Sequence, residues 1–501
     1  MVSLQHLLPM RLINLSRPSF PTATLRVGVV TLAAGLAACG QPRATDPRMV
    51  SEWMHTLYGV IRAERLSPPV ASRLVAYSTV ALYSGLSSVN SKLPSVAGAL
   101  GGFPELPRAE SPRDYDATLT AIAAERVVLD SLLREGVPTT RSALARLADS
   151  LALARSAGGV SQAVQSRSQE LGTQIGSKIV AWSHGDGFDT TRGRPFTPMI
   201  GLAYWVNDSP ANTYAAQDLS ATSAYVALDN PANVLQSGNT SDRGLILNRP
   251  KRAGVKTVPA VNMAGLSEPY WGHMRPFVLK NWNECAAPEP PAYSTDTTSP
   301  MYRDAEVVRE TRVHMTPANR ATAFYWADNA GESGTPVGHW ISIASQMVGE
   351  RHLSGDDAAR LVMMTALAQA DAFIAAWGYK FQYSLLRPRT FIRRMIDSTW
   401  EPLIPTPPFP EYPSAHSTQS AAAATVLGTV IGDHVAFEDS TGLSIGNGVR
   451  RFESFRAAAS EAGISRIYGG IHFPYGNTGG RALGDCVGEK VVERMKAVSL
   501  R

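Results

Sequence analysis

The stretch Lys380-Phe-Gln-Tyr-Ser-Leu-Leu-Arg387-Pro388 decides the reading of this 501-residue chain, together with Pro413-Ser414-Ala415-His416 and Ser465-Arg466-Ile-Tyr-Gly-Gly-Ile-His472 downstream of it. The three blocks bring three fixed cations, a hydroxyl and two imidazoles into about a hundred residues. That inventory suits a compact oxyanion: the cations and hydroxyl grip its oxygens, one histidine bonds its central atom and the other moves protons. Trp377, Lys380, Ser384 and Arg387 are spaced three, four and three apart, so a helix would stack them on one face, with Pro388 ending or kinking it. Phe373, Ile374 and Trp377 make this a buried face, where cations are costly without an anion. The proline-rich run from Pro405 to Pro413 enters a helix predicted from about His416 to Ile431, whose N-terminus suits an oxyanion. Ser414 there could equally be a plain helix cap. In the third block Gly469-Gly470 lets the chain turn before His472, and Asn477 or Thr478 is expected to cap a last helix over 482–495.

The order and spacing of these blocks resemble the superfamily of vanadium-dependent haloperoxidases and type 2 phosphatidic acid phosphatases, with its Lys-x6-Arg-Pro, Pro-Ser-Gly-His and Ser-Arg-x5-His motifs. Two positions depart from that pattern. Ala415 stands where the family usually has glycine, and Gly476 stands where the phosphatase form often continues His-x3-Asp. The resemblance implies a mainly α fold of two helical bundles, and a vanadate cofactor with His472 as the axial nitrogen. It implies that Lys380, Arg387, Ser414, Arg466 and the Ala415 N–H hold the equatorial oxygens, that His416 is the acid/base, and that Asp328 supports the active-site arginine. Trp377 and Phe409 match an aromatic wall of the chloroperoxidases. The implied partners are hydrogen peroxide and a halide or small organic substrate. The same residues would serve an acid phosphatase working through a phosphohistidine at His472, and a catalytically silent binding protein is a third reading. His339 is expected to be structural.

Composition narrows the classes. The apolar fraction of 44% is that of a globular protein, and a net charge of +5 with no long basic run argues against nucleic acid. Arg11, Arg17 and Arg26 precede the apolar stretch Val27 to Ala38, too short to span a bilayer and right for a secretory signal over 1–38. It ends in Leu36-Ala37-Ala38-Cys39, similar to the bacterial lipoprotein box, so lipidation of Cys39 and an envelope location are expected, with Gly40 favouring the outer membrane. The remaining cysteines, Cys285 and Cys486, could pair in an oxidising envelope, but isolated thiols are the preferred reading. No run of eighteen uncharged apolar residues follows, which disfavours the membrane-embedded phosphatases.

Helical texture divides the chain into an N-terminal region (39–184), a Gly-, Pro-, Asn- and Thr-rich connecting segment (185–300) and a C-terminal bundle with the oxyanion site (301–501). Leu66-Ser67-x3-Ala71-x-Arg73-Leu74-Val75 echoes Leu353-Ser354-x3-Ala358-x-Arg360-Leu361-Val362, as two related bundles would require.

Overall fold

The structure, a computed structural model, describes residues 44–192, 194–207 and 268–499. The expected signal segment and Cys39 lie outside them, as do residues 208–267 of the connecting segment.

Thirteen helices carry the described fold: α1 (Pro47–Ala63), α2 (Pro68–Ser87), α3 (Ala117–Leu132), α4 (Pro138–Ala157), α5 (Gln162–His184), α6 (Pro300–Val313), α7 (Pro317–Tyr325), α8 (Thr335–Glu350), α9 (Gly355–Tyr383), α10 (Pro388–Met395), α11 (Ala415–Ile431), α12 (Phe455–Tyr468) and α13 (Pro474–Ser499). A short antiparallel hairpin, β1 (Phe437–Asp439) with β2 (Arg450–Phe452), sits between α11 and α12. Many starts follow local chemistry. Asp46, Asp116, Ser161, Ser299, Thr316, Ser354 and Ser454 each accept a hydrogen bond from a first-turn N–H, and proline occupies the first turn of α1, α2, α4, α6 and α7.

The axis of the fold is α9. Its central turns are mostly apolar around the whole circumference, so they have to be buried rather than present one face. By length and hydropathy it could cross a bilayer, yet 94% of its apolar window is buried inside the protein. It packs against α2, α11 and α13, while α3 packs on α2 and α5. The echoed segments are the starts of α2 and α9, with Ser67 and Ser354 at equivalent cap positions, and these two helices contact each other.

The described part of the connecting segment is irregular, as expected, and is fastened to the helices at two nearby points. The buried Asp371 carboxylate on α9 accepts from the N–H groups of Phe277, Val278 and Leu279 at 2.6–2.8 Å. Cys285 forms a disulfide with Cys486 of α13, so the reading of isolated thiols is wrong. The two cysteines are 201 residues apart in sequence, a pairing no local pattern could announce.

Candidate active site

The three motifs converge where α9, α10, α11, α12 and α13 meet. The first block is not one helix. α9 stops at Tyr383, Ser384 turns into the left-handed region at φ +48°, and Arg387 is the N-cap of α10, with Pro388 as that helix's first residue. The predicted common face for Lys380, Ser384 and Arg387 is therefore corrected. Proline disfavours the helical region for the residue before it but is suited to a helix start, so Pro388 opens a helix instead of closing one. The linker pairs with an upstream segment: Trp205 N–H donates to the Ser384 carbonyl and Leu386 N–H to that of Ala203.

Lys380 and Arg387 nevertheless point into the same volume, and both are fully buried. The Lys380 Nζ donates to the carbonyls of Pro410 (2.9 Å) and Glu411 (2.8 Å), which leaves one of its three N–H groups unused by these bonds. Arg387 donates from Nε to the Phe409 carbonyl (2.9 Å) and from Nη1 to that of Ile471 (2.8 Å), and Nη1 lies 3.0 Å from His472 Nε2. Its Nη2 is buried without a protein partner. Arg466, in the last turn of α12, donates from Nη1 to the Trp326 carbonyl (2.6 Å), while its Nε is also unpartnered.

Burial weakens the hold of all three cations on their protons. It pushes Lys380 well down, with the neighbouring Arg387 adding to the effect. Arg387 falls to about 9 and Arg466 to about 10, again chiefly through burial. Three desolvated cations with N–H groups left over are the signature of a site completed by an anion.

Ser414 is the N-cap of α11, its Oγ 3.4 Å from the Ser417 N and 2.9 Å from the Ser417 Oγ. Cap and oxyanion duty are compatible here, because the same Oγ sits beside the first-turn N–H groups of Ala415 and His416, which have no intrahelical acceptor. His416 is half-buried, bonds the Trp326 backbone, and leaves Nε2 unpartnered. Burial and the Arg466 charge keep its pKa well below the usual range. His472, in the turn between α12 and α13, is buried with Nδ1 2.8 Å from Glu411 Oε1, and burial beside Arg387 holds it neutral.

Trp377 and Phe409 touch at 5.0 Å between ring centroids, and Lys380 Nζ lies 5.9 Å and 5.2 Å from their respective rings. The aromatic wall is thus part of the cation cluster. The last helix begins at Pro474 rather than near 482, so Asn477 is inside it, and its Oδ1 accepts from Ser417.

Asp328 pairs directly with His339 and reaches Arg466 through its field. It sits at φ +47° and its carboxylate accepts from His339 Nδ1, 3.0 Å from each oxygen, and from Ser333 Oγ. Its field favours the charge on Arg466, while that arginine donates its hydrogen bond to the Trp326 carbonyl. His339 is likewise more than a core histidine: its Nε2 lies 2.7 Å from Asp439 Oδ2 and its ring stacks on Trp326 at 4.4 Å. Although burial opposes its charge, the two aspartates raise its pKa to about 10. The backbone that braces Arg466 and His416 therefore rests on a buried Asp–imidazolium–Asp clamp.

Glu411 is the functional residue that motif reading missed. It is fully buried, and burial raises its pKa to about 7 against the pull of Lys380 and Arg387. Gly476 abuts it, since a Cβ there would fall 2.0 Å from Glu411 Oε1.

Vanadate or phosphate fits this donor set. Among the described residues no group of three or more His, Cys, Asp or Glu is arranged to hold a metal cation, whereas unsatisfied N–H groups of Arg387 and Arg466 and the unpartnered His416 Nε2 are gathered at one helix N-terminus.

A mainly helical fold with three buried, incompletely paired cations beside two histidines defines the class. The family model for the second helical-bundle domain of vanadium chloroperoxidase matches residues 360–499, the span that holds all three motifs. The fold is similar to that of a bacterial vanadium-dependent iodoperoxidase, with a TM-score of 0.74 and 28% identity over 91% of this chain and 98% of that one. It also resembles holo and apo forms of a bacterial vanadium-dependent chloroperoxidase, at TM-scores of 0.59 and 0.58, 15% identity and 87% of this chain, covering 93% and 95% of theirs. No curated protein matches the sequence significantly. Together the family-model match over residues 360–499 and the likeness to the iodoperoxidase support the vanadium haloperoxidase superfamily.

Proposed function

We propose that the protein is a vanadium-dependent haloperoxidase that uses hydrogen peroxide to oxidise a halide at a vanadate bonded to His472. The observation that carries this reading is the set of buried, incompletely paired cations: Lys380, Arg387 and Arg466 all act on His472, whose Nε2 faces Arg387 Nη1. Likeness to the iodoperoxidase supports peroxidase over phosphatase chemistry. When bound, vanadate would supply the Lewis acid that activates peroxide.

The protein's own contribution is positional and electrostatic. Arg387 Nη2, Arg466 Nε and the remaining Lys380 N–H would hold the oxygens of a bound vanadate, together with Ser414 Oγ and the Ala415 N–H. His416, deprotonated at neutral pH by burial beside Arg466, takes a proton at Nε2 from incoming peroxide. Trp377 and Phe409 keep one wall apolar, so the fixed cations act in a low-dielectric volume and stabilise charge developing on oxygen.

The two histidines separate in a test. His472→Ala should abolish tight retention of vanadate, measured by equilibrium dialysis, whereas His416→Ala should keep most of the binding and lose turnover by about 10²–10⁴-fold, the usual contribution of a general base. Wild-type binding and turnover in both variants would refute the assignment.

A further inference from the structure

We propose that Glu411, which lies outside the three motifs, is the positioning residue for His472, fixing the tautomer that carries its proton on Nδ1, and that residue 476 is glycine to make room for it. The inference rests on the oxyanion reading above and adds a residue to it.

The two ring nitrogens of His472 face opposite kinds of partner. At Nε2 stands Arg387 Nη1, 3.0 Å away, and a guanidinium has N–H donors and no acceptor. Nε2 must therefore present its lone pair. At Nδ1 stands Glu411 Oε1, 2.8 Å away, an acceptor that also takes the Phe473 N–H at 3.1 Å. Nδ1 must therefore carry the proton. Remove Glu411 and Nδ1 loses its acceptor, so the ring is free to turn or to protonate at Nε2, which would blind the nitrogen that faces the cradle.

Glu411 is held firmly enough for this duty. Its N–H donates to the Leu385 carbonyl at 3.0 Å, and its own carbonyl accepts from Lys380 Nζ. One residue thus ties together the linker before Arg387, the lysine and the histidine. On the far side its carboxylate lies against Gly476, whose carbonyl in turn accepts the Ser414 N–H at 2.9 Å. A side chain at 476 would enter the volume of the carboxylate: its Cβ would stand 2.0 Å from Oε1 and 2.8 Å from Oε2. A carboxylate could be delivered to His472 from position 411 or from position 476, but not from both.

Two readouts on vanadium-free protein test this. Nitrogen-15 NMR of labelled histidines, with His472 assigned by its loss in His472→Ala, reports the tautomer; calorimetry with inorganic phosphate and with orthovanadate reports anion affinity. Wild type should show Nδ1–H. Glu411→Ala should lose that signature and bind both anions about 10–100-fold more weakly, the range for residues that orient a ligand histidine. Gly476→Ala should do the same with Glu411 still present, because the new Cβ displaces the carboxylate. Glu411→Gln keeps an acceptor oxygen and should keep the tautomer, and Glu411→Ala combined with Gly476→Asp should restore it. An unchanged Nδ1–H tautomer in both Glu411→Ala and Gly476→Ala overturns the proposal. Tautomer shifts as stated, in a protein that binds neither anion, would sustain the role of Glu411 and overturn the oxyanion reading instead.

Discussion

Replacing His339 with glutamine should cost the protein about 3–5 kcal/mol at pH 6, although the residue lies outside all three motifs. In the structure its ring is 2% exposed, with 3.0 Å contacts to both Asp328 oxygens and a 2.7 Å contact to Asp439. A histidine with carboxylates on both nitrogens is an imidazolium. Its rise from 6.5 to about 10, at about 1.4 kcal/mol per pH unit, corresponds to about 5 kcal/mol of preferential stabilisation of the charged form. Breaking a buried ion pair by removing one partner costs a similar ~3–5 kcal/mol. Because the folded pKa is raised, the contribution is complete below pH 6.5 and disappears as the pH climbs through about 10. Urea unfolding of wild type and His339→Gln at pH 6 and near pH 11 should show a wide gap closing to a small one. A gap below ~1 kcal/mol at pH 6, or one of equal size at both pH values, would refute the clamp.

Saturating phosphate should stabilise the vanadium-free protein: about 2.7 kcal/mol at a hundredfold excess over Kd, or roughly 3 °C in Tm for a chain unfolding with ~2.1 cal/mol/K per residue. Burial holds Lys380 well below its ordinary range, so the unliganded protein gains stability as pH rises and Lys380 discharges, and the phosphate increment measured by calorimetry should shrink in the same direction. Arg387→Met should lose the increment, and an unchanged Tm shift there would count against the cradle. Cys285→Ser removes a link closing a 201-residue separation, worth up to ~5 kcal/mol in the loop-entropy account, and unchanged unfolding midpoints would contradict it. We propose that the chain is exported and lipid-anchored through Cys39, a setting in which such a disulfide persists; Cys39→Ser should move the protein from the membrane to the soluble fraction, and unchanged partition would dismiss the anchor.

What the sequence made legible was local. Helical period and the Pro and Ser starts placed most of the helices, and motif spacing picked out Lys380, Arg387, Ser414, His416, Arg466 and His472, which the fold brings together. The break after Tyr383 was hidden because Ser384 adopts a left-handed conformation that no glycine advertised. Glu411 was hidden because its partner His472 is 61 residues away and carboxylates in proline-rich loops have no period. His339 finds its two aspartates 11 and 100 residues off, so only the tertiary fold distinguishes an imidazolium clamp from an ordinary core histidine. Gly476, by sequence a departure from the phosphatase pattern, acquires a reason only once the Glu411 carboxylate is seen against it.

The central claim is best tested by loading purified protein with orthovanadate and following hydrogen peroxide consumption with iodide or bromide beside hydrolysis of a phosphate ester. The account predicts halide-dependent peroxide consumption that requires vanadate and is suppressed by competing phosphate. No halide oxidation after loading, together with ester hydrolysis by the vanadium-free protein and a phosphohistidine at His472, would contradict it.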